Sequence, residues 1–217
     1  MGFTLAEVLI TLGIIGVVAA MTIPNLMSNI KDKRTVSQLR ATHSILTNAI
    51  RLAEDEYGDF AGWNLKMDTS EEDAIEIAKV LRQFLKFATD CGTDDVNGKC
   101  APNVTYRNLM GGNHMSYHRA KNYYKVTLFN GSSVWWRTSN EAAHLQGKDA
   151  TFFIDLNGHQ SPNQVGRDLF VFNYEKGSLR PVGAPGHSDA NTCKLNGEGW
   201  GCAYFVLQHG HMKYPKN

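Results

Sequence analysis

The sequence predicts an α+β protein in which one long amino-terminal helix packs against a small antiparallel sheet. The first observation is a helical pattern that runs from residue 3 to about residue 57. The second is a set of short strand-like runs, separated by Gly and Asn, in the later part of the chain. Nothing repeats at a fixed period, so the residues beyond the helix are expected to form one domain.

The first half of the helix is apolar enough to cross a membrane. Between Phe3 and Met27 the only ionisable residue is Glu7, and at about 1.5 Å per residue the segment makes a rod of roughly 37 Å. A bilayer core is about 30 Å thick. A carboxylate in such a segment is costly and is a functional candidate, with a position among the lipid headgroups as the alternative.

Residues Gly2 to Ile10, with the sequence GFTLAEVLI, resemble the processing site of type IV pilins and type II secretion pseudopilins. The resemblance implies that prepilin peptidase cuts between Gly2 and Phe3 and methylates the new amino terminus. Glu7 would then be the fifth residue of the mature chain, and in the filament core it would pair with the terminal ammonium of a neighbouring subunit. A desolvated pair of this kind sets the register of assembly, although its net free energy can be small.

Three small residues and one proline lie in the same segment. Gly13, Gly16 and Ala20 are spaced three and four apart and share one helical face, which would let helices approach closely in lipid, although such residues are common in membrane spans. Pro24 lies where the family often has a helix-kinking proline, whose ring and missing N–H bend or locally open a helix. The alternative for the whole segment is a secretory signal that is cut after Ala20.

The second half of the helix has the pattern of a helix packed on a domain. Its buried stripe is predicted to be Val36, Leu39, His43, Leu46, Ile50, Ala53 and Tyr57. We therefore expect leader residues at 1–2, a membrane and filament-core helix at 3–30, and a pilin-like globular domain at 31–217. The resemblance places that domain in the periplasm or outside the cell, whereas the basic residues after the span, taken alone, favour the opposite orientation.

Within the domain, Ser70 and Asp73 resemble a capping box before a second amphipathic helix, whose apolar positions run from Ala74 to Ala88. Asn130-Gly131 is a strong hairpin signal. The predicted strands are 124–129, 133–137, 151–156, 169–174 and 202–208. Adjacent tryptophans in a strand point to opposite faces, so one of the two at 135 and 136 is expected at the surface.

The four cysteines form two pairs, each with a spacing of nine positions. Four cysteines allow three connectivities, and local pairing of Cys91 with Cys100 and of Cys193 with Cys202 is the simplest. Such pairing favours oxidation outside the cytoplasm. A zinc site is the alternative, but zinc ligands normally lie closer together in sequence.

Two segments are candidate metal sites. From Asp155 to Asp168, oxygen-bearing side chains cluster around turn residues, and calcium prefers such ligands. Because major pseudopilins hold calcium in a C-terminal loop, the resemblance makes Asp155, Asn157 and Asp168 candidate calcium ligands; the alternative is an Asx turn that joins two strands. His209 and His211 could share one face of a strand, but the sequence identifies no third ligand, so exposed terminal histidines are favoured.

The sequence contains no GxxxxGK[ST], HExxH or GxSxG motif, and its net charge of +1 argues against a general nucleic-acid binder. We therefore predict a non-enzymatic subunit of a type IV pilus or type II secretion pseudopilus, without a cofactor unless calcium binds. The resemblance implies an inner-membrane precursor with a single span that later enters a filament. Its partners would be other subunits, prepilin peptidase and an assembly platform driven by a separate ATPase.

Two alternatives remain open from the sequence. A minor pilin could bind DNA, a sugar or a surface through its loops, and the local candidate is the basic stretch from Asn113 to Lys125, which could equally be a solvated loop. A single-span anchored domain that never polymerises would have the same composition, and in that case Glu7→Ala would be harmless.

Overall fold

The computed structural model describes Gly2 and residues 4–216. The helices are Leu5–Tyr57 (α1), Glu71–Leu81 (α2), Glu141–His144 (α3) and Cys202–His209 (α4), with a short 3-10 helix at Phe60–Gly62. The strands are Phe87–Gly92 (β1), Tyr124–Leu128 (β2), Ser133–Thr138 (β3), Lys148–Asp155 (β4), Leu169–Glu175 (β5) and Ser178–Pro181 (β6). All six form one antiparallel sheet in chain order. The protein therefore has the predicted α+β class.

Helix α1 begins after Thr4 and ends before Gly58, close to the predicted bounds. The helix continues through Pro24, so the proline does not open it. At the other end, Gly58 adopts a φ of 80°, which favours glycine, and its N–H donates to the carbonyl of Glu54 at 2.9 Å. Up to Ile30 the large apolar side chains of α1 are exposed, and this part is long and apolar enough to cross a membrane.

The second half of α1 packs on the sheet through one stripe, as predicted. The buried members are Val36, Leu39, Leu46, Ala49, Ile50 and Ala53. His43 lies at the edge of the stripe, where its ring stacks on Phe172 at a centroid distance of 4.8 Å. The prediction that Tyr57 belongs to the buried stripe is wrong, because this residue, at the last position of α1, is exposed. Gln38 donates to the carbonyl of Leu156 at 2.7 Å and so joins the helix to the end of β4. The first half of α1 is exposed and the second half is partly buried, because only the residues of this stripe are covered by the domain.

Both faces of the sheet are covered. Helices α1, α2 and α4 lie against one face, whose core includes Trp136, while the loops at 93–123 and 182–200 cover the other, whose core includes Trp135. Both tryptophans are completely buried. The expectation that one of them is exposed is therefore wrong, because loops that are distant in sequence cover the second face.

Helix α2 is shorter than predicted. It begins after Ser70, whose side chain accepts from the N–H of Asp73, but it ends at Leu81. A full capping box would also need the Asp73 carboxylate to accept the backbone N–H of Ser70. The carboxylate accepts instead from the backbone N–H of Lys66 and from the Thr138 hydroxyl. Residues 82–85 form a turn, and Ala88, the last residue predicted to continue the helix, lies in β1, which pairs with β2.

The segment predicted as a strand at 202–208 is helix α4. Its buried residues Cys202, Ala203 and Val206 follow a helical spacing, and Gly210 closes the helix with a φ of 71° and an N–H that donates to the Val206 carbonyl at 2.9 Å. A short apolar run fits helix and strand equally well, which explains the error.

Candidate functional site

The amino end of α1 carries the residues that the resemblance assigns to processing and assembly. Gly2 is exposed, whereas Phe3 lies outside the described residues. Thr4 caps the helix, and its backbone N–H and hydroxyl donate to the Glu7 carboxylate at 2.8 and 2.9 Å. The N–H of Glu7 donates back to the Thr4 hydroxyl at 3.3 Å, which completes a capping box. The carboxylate therefore has a local partner in the single chain.

Gly13 and Gly16 lie on an open face of α1. A Cβ added at either position would meet no heavy atom within 4 Å, and the large apolar side chains around them, such as Ile14, Ile15 and Val17, are more than half exposed. The geometry leaves room for another helix to approach closely along this face.

The candidate calcium loop is held by hydrogen bonds to its two carboxylates. Asp155 accepts from the N–H groups of Asn157 and Gly158 at 3.0 and 2.8 Å and from the hydroxyl of Tyr106. Asp168 accepts from the N–H groups of residues 163 and 164 at 2.7 and 2.6 Å. Both aspartates are buried. All four carboxylate oxygens thus accept protein donors, as in the Asx-turn alternative.

Burial disfavours the charged form of both carboxylates in this loop. Burial raises the pKa of Asp155 to about 7, and the nearby charge of Asp168 adds to the rise, while the Tyr106 hydroxyl and backbone N–H groups oppose it. Burial also raises the pKa of Asp168. The buried amide oxygens of Asn157 and Asn163 have no hydrogen-bond partner among the described residues. These two oxygens are the free acceptors that a cation or a water molecule could use.

A cleft of about 460 Å³ lies between this loop and the part of α1 that leaves the domain. Lys31, Arg34 and Arg167 contribute positive charge to its walls, and Asn157 and Asp168 line it from the loop. The candidate calcium loop therefore lies at the end of the domain nearest the exposed apolar half of α1.

The structure contains both of the local disulfides that we expected, Cys91–Cys100 and Cys193–Cys202. Asp95 organises the first loop, because its buried carboxylate accepts from the N–H groups of Cys100 and of its two neighbours. Asp95 lies near both sulfurs of that pair, but sulfurs joined to each other offer no thiolate to a metal. The zinc alternative has no support at this position.

The basic stretch at 113–125 exposes Arg119 and Lys121 but buries its third cation, Lys125. Lys125 is completely buried, and its ammonium donates to the carbonyls of Thr93, Ala120 and Tyr123 at 2.5, 2.8 and 2.8 Å. Burial lowers the pKa of this lysine to about 8, while the nearby carboxylates oppose the shift. Arg119 forms an ion pair with Asp94 at 3.4 Å. Sequence reasoning missed this clamp, because a lysine in a strand normally indicates a solvent-facing position.

The two histidines near the carboxyl end do not share a strand face. Helix α4 ends at His209, and Gly210 turns the chain before His211. Their ring centroids are 5.9 Å apart, and the His209 ring stacks on Phe205 at 4.3 Å. Both rings therefore take part in aromatic packing.

No family model, curated protein or solved structure matches this chain.

Proposed function

We propose that this chain is a structural subunit of a pilin-like filament, either a type IV pilus or a type II secretion pseudopilus, and not an enzyme. The observation that carries the proposal is the contrast between the two halves of α1. Its first half exposes large apolar side chains on every side, whereas its second half buries one stripe in the domain. A helix of this kind needs an apolar environment for its first half while its second half keeps the domain attached.

Two environments would cover the first half of α1 in turn. Before assembly it would span the inner membrane, since it is long and apolar enough to do so. After assembly the same surface would lie among the corresponding helices of other subunits. The open face at Gly13 and Gly16 supports the second step, because small residues let helices pack closely where the hydrophobic effect contributes little.

Glu7 would link the two states. In the single chain its carboxylate caps its own helix through Thr4. Cleavage after Gly2 would create an ammonium at residue 3, and in a filament the carboxylate of one subunit would pair with the ammonium of its neighbour. Such a pair selects one register in an apolar core. In the membrane, the hydrogen bonds from Thr4 would offset the cost of the carboxylate. In the filament, its negative charge would pair with the ammonium of the neighbouring subunit.

The first experiment is intact-mass analysis and amino-terminal sequencing of the protein from membranes that contain active prepilin peptidase. We expect a mature chain that begins with methylated Phe3, and an uncut chain in the matched variant Gly2→Val. A chain that stays uncut in both, or that is cut after Ala20, would contradict the proposal and leave an anchored or secreted domain.

A further inference from the structure

The face of the sheet covered by loops ends in a row of polar side chains. Arg137 on β3 pairs with Thr151 on β4, which pairs with Asn173 on β5. Residues that pair directly across antiparallel strands present their side chains on the same face, about 4.5–5.5 Å apart. The preceding level of the same face is apolar and includes Trp135 and Phe153. The sheet therefore changes from an aromatic core to a polar edge within two residues.

Two cations in this edge lack a carboxylate partner. Among the residues that the structure describes, neither Arg137 nor Lys148 forms an ion pair, and Arg137 lies over the Tyr123 ring at 5.2 Å from its centroid. Both are half-buried. Burial lowers the pKa of Lys148 and the charge of Arg137 lowers it further, while Asp189 and Glu175 oppose the shift. The two positive charges thus lie close enough to interact.

A buried hydroxyl without a partner lies beside them. Ser139 is 7% exposed, and its Oγ forms no hydrogen bond within the described part of the chain. Together with Arg137, Lys148 and Thr151, Ser139 lines a cavity of about 260 Å³, and the residues that line this cavity include no Asp or Glu. A buried polar group normally has a partner, so this hydroxyl marks a position where a ligand or a water molecule would accept or donate.

A second cavity of about 220 Å³ adjoins the first. It shares Arg137, Lys148 and Thr151, and its further walls include Trp200 and Asp189. Asp189 lies 3.4 Å from the ring of His187 and brings negative charge to this side only. A charged group would therefore lie in the first cavity, and a compact neutral body could extend towards Trp200 in the second.

We propose that the pocket formed by Arg137, Lys148, Ser139 and Thr151 binds an oxyanion, namely the phosphate or carboxylate group of a small organic ligand. A guanidinium matches the two oxygens of such a group, and the Lys148 ammonium and the free Ser139 hydroxyl supply further donors. The Thr151 hydroxyl already donates to Asn173 at 3.2 Å, so this residue forms part of the wall. The pocket lies at the end of β3 and β4 opposite to the end that Gln38 of α1 contacts. It therefore faces away from the exposed apolar half of α1 and is open to soluble ligands.

The test is isothermal titration calorimetry of the full chain in detergent, at constant ionic strength, with inorganic phosphate, glucuronate and glucose. We expect saturable binding of phosphate, glucuronate or both, and no binding of glucose. The comparison of phosphate with glucuronate shows whether the pocket prefers a phosphate or a carboxylate group. Arg137→Gln and Lys148→Gln should each weaken binding at least about tenfold, as expected for the loss of a charge-assisted hydrogen bond. Ser139→Ala should weaken it less.

The matched control is Arg180→Gln, which removes an exposed cation from β6 that lines neither cavity. Its affinity should equal that of the wild-type chain. The proposal is overturned if neither anion binds saturably, if both pocket variants that remain folded by circular dichroism bind as the wild type does, or if Arg180→Gln weakens binding as much as they do.

Discussion

The Glu7 carboxylate accepts the backbone N–H of Thr4 at 2.8 Å, and the Thr4 hydroxyl accepts the N–H of Glu7 at 3.3 Å. This reciprocal pair closes the amino end of α1 in the single chain. In the proposed filament, the same carboxylate pairs with the terminal ammonium of another subunit. Capping and assembly are therefore two roles of one residue, and substitutions at the two positions can separate them.

Thr4→Ala removes the hydroxyl and keeps the charge at residue 7, whereas Glu7→Gln keeps an oxygen that can accept from Thr4 but removes the charge. We expect Thr4→Ala chains to assemble despite a cap loss of about 1 kcal/mol. Glu7→Gln chains should be cut but should not assemble, because an amide cannot neutralise an ammonium. The readout is sedimentation of sheared filaments with immunoblotting and electron microscopy. Normal assembly of Glu7→Gln would contradict a role for the charge.

Lys125→Met should destabilise the domain. The substitution leaves the carbonyls of Thr93, Ala120 and Tyr123 without the buried donor that now joins them. Because a buried group that loses its partner costs about 1–3 kcal/mol, we expect a loss of roughly 2–4 kcal/mol in the free energy of unfolding. Chemical denaturation in detergent measures it. Lys121→Met, at an exposed position in the loop before β2, is the matched control and should change little; equal effects would show that the clamp is unimportant.

The stability of the domain should fall as pH rises through the titration of Asp155. Burial raises the pKa of this carboxyl to about 7 in the folded chain, above about 3.9 in an unfolded one. Between these values the folded state keeps a proton that the unfolded state has lost, so the contribution is present below about pH 4 and is lost as pH rises through about 7.

Asp155→Asn removes this titration and retains an oxygen that can accept from the N–H groups of Asn157 and Gly158. When the pH rises from 5 to 8, we expect the free energy of unfolding of the wild type to fall by at least about 1 kcal/mol more than that of the variant. Denaturation curves at the two pH values give the difference. Asp55→Asn, at an exposed position on α1, should leave the pH dependence unchanged, and parallel curves for the wild type and Asp155→Asn would refute the assignment.

Calcium is expected to leave the melting temperature unchanged. Every carboxylate oxygen of Asp155 and Asp168 already accepts a donor from the protein, so the loop does not need a cation to hold its shape. Thermal melts in millimolar CaCl₂ and in EGTA test this. If calcium raises the melting temperature of the wild type but not of Asp168→Asn, the loop is a cation site in which the free oxygens of Asn157 and Asn163 are the further ligands.

Local signals in the sequence were sufficient for several elements. The helix at 5–57 follows from a continuous period with a terminal glycine, and the β2–β3 hairpin follows from Asn130-Gly131. The two disulfides join cysteines nine positions apart, where local pairing was the simplest choice. In each of these cases the decisive residues are neighbours in sequence, so the physical cause lies within a window that the sequence displays.

The candidate loop and the pocket differ in this respect. The sequence placed Asp155 and Asp168 in one loop, and backbone N–H groups of that loop bond both carboxylates, but the hydroxyl that bonds the second oxygen of Asp155 belongs to Tyr106, about fifty positions earlier. Arg137, Lys148 and Ser139 come together only through the register of β3 and β4 and the segment with α3 that joins these strands. No local pattern marks three such residues as one site.

By itself the sequence determined that the chain has a long helix, apolar in its first half and amphipathic in its second, and a hairpin-based sheet, and it favoured two loops closed by local disulfides. The tertiary structure alone decided that α4 is a helix, that β1 replaces the end of the predicted second helix, and that Trp135 and Lys125 are buried. The physical reason is that burial and strand pairing depend on segments far apart in the chain. Whether a side chain meets water is settled by which distant loop covers it, and a local period carries no information about that loop.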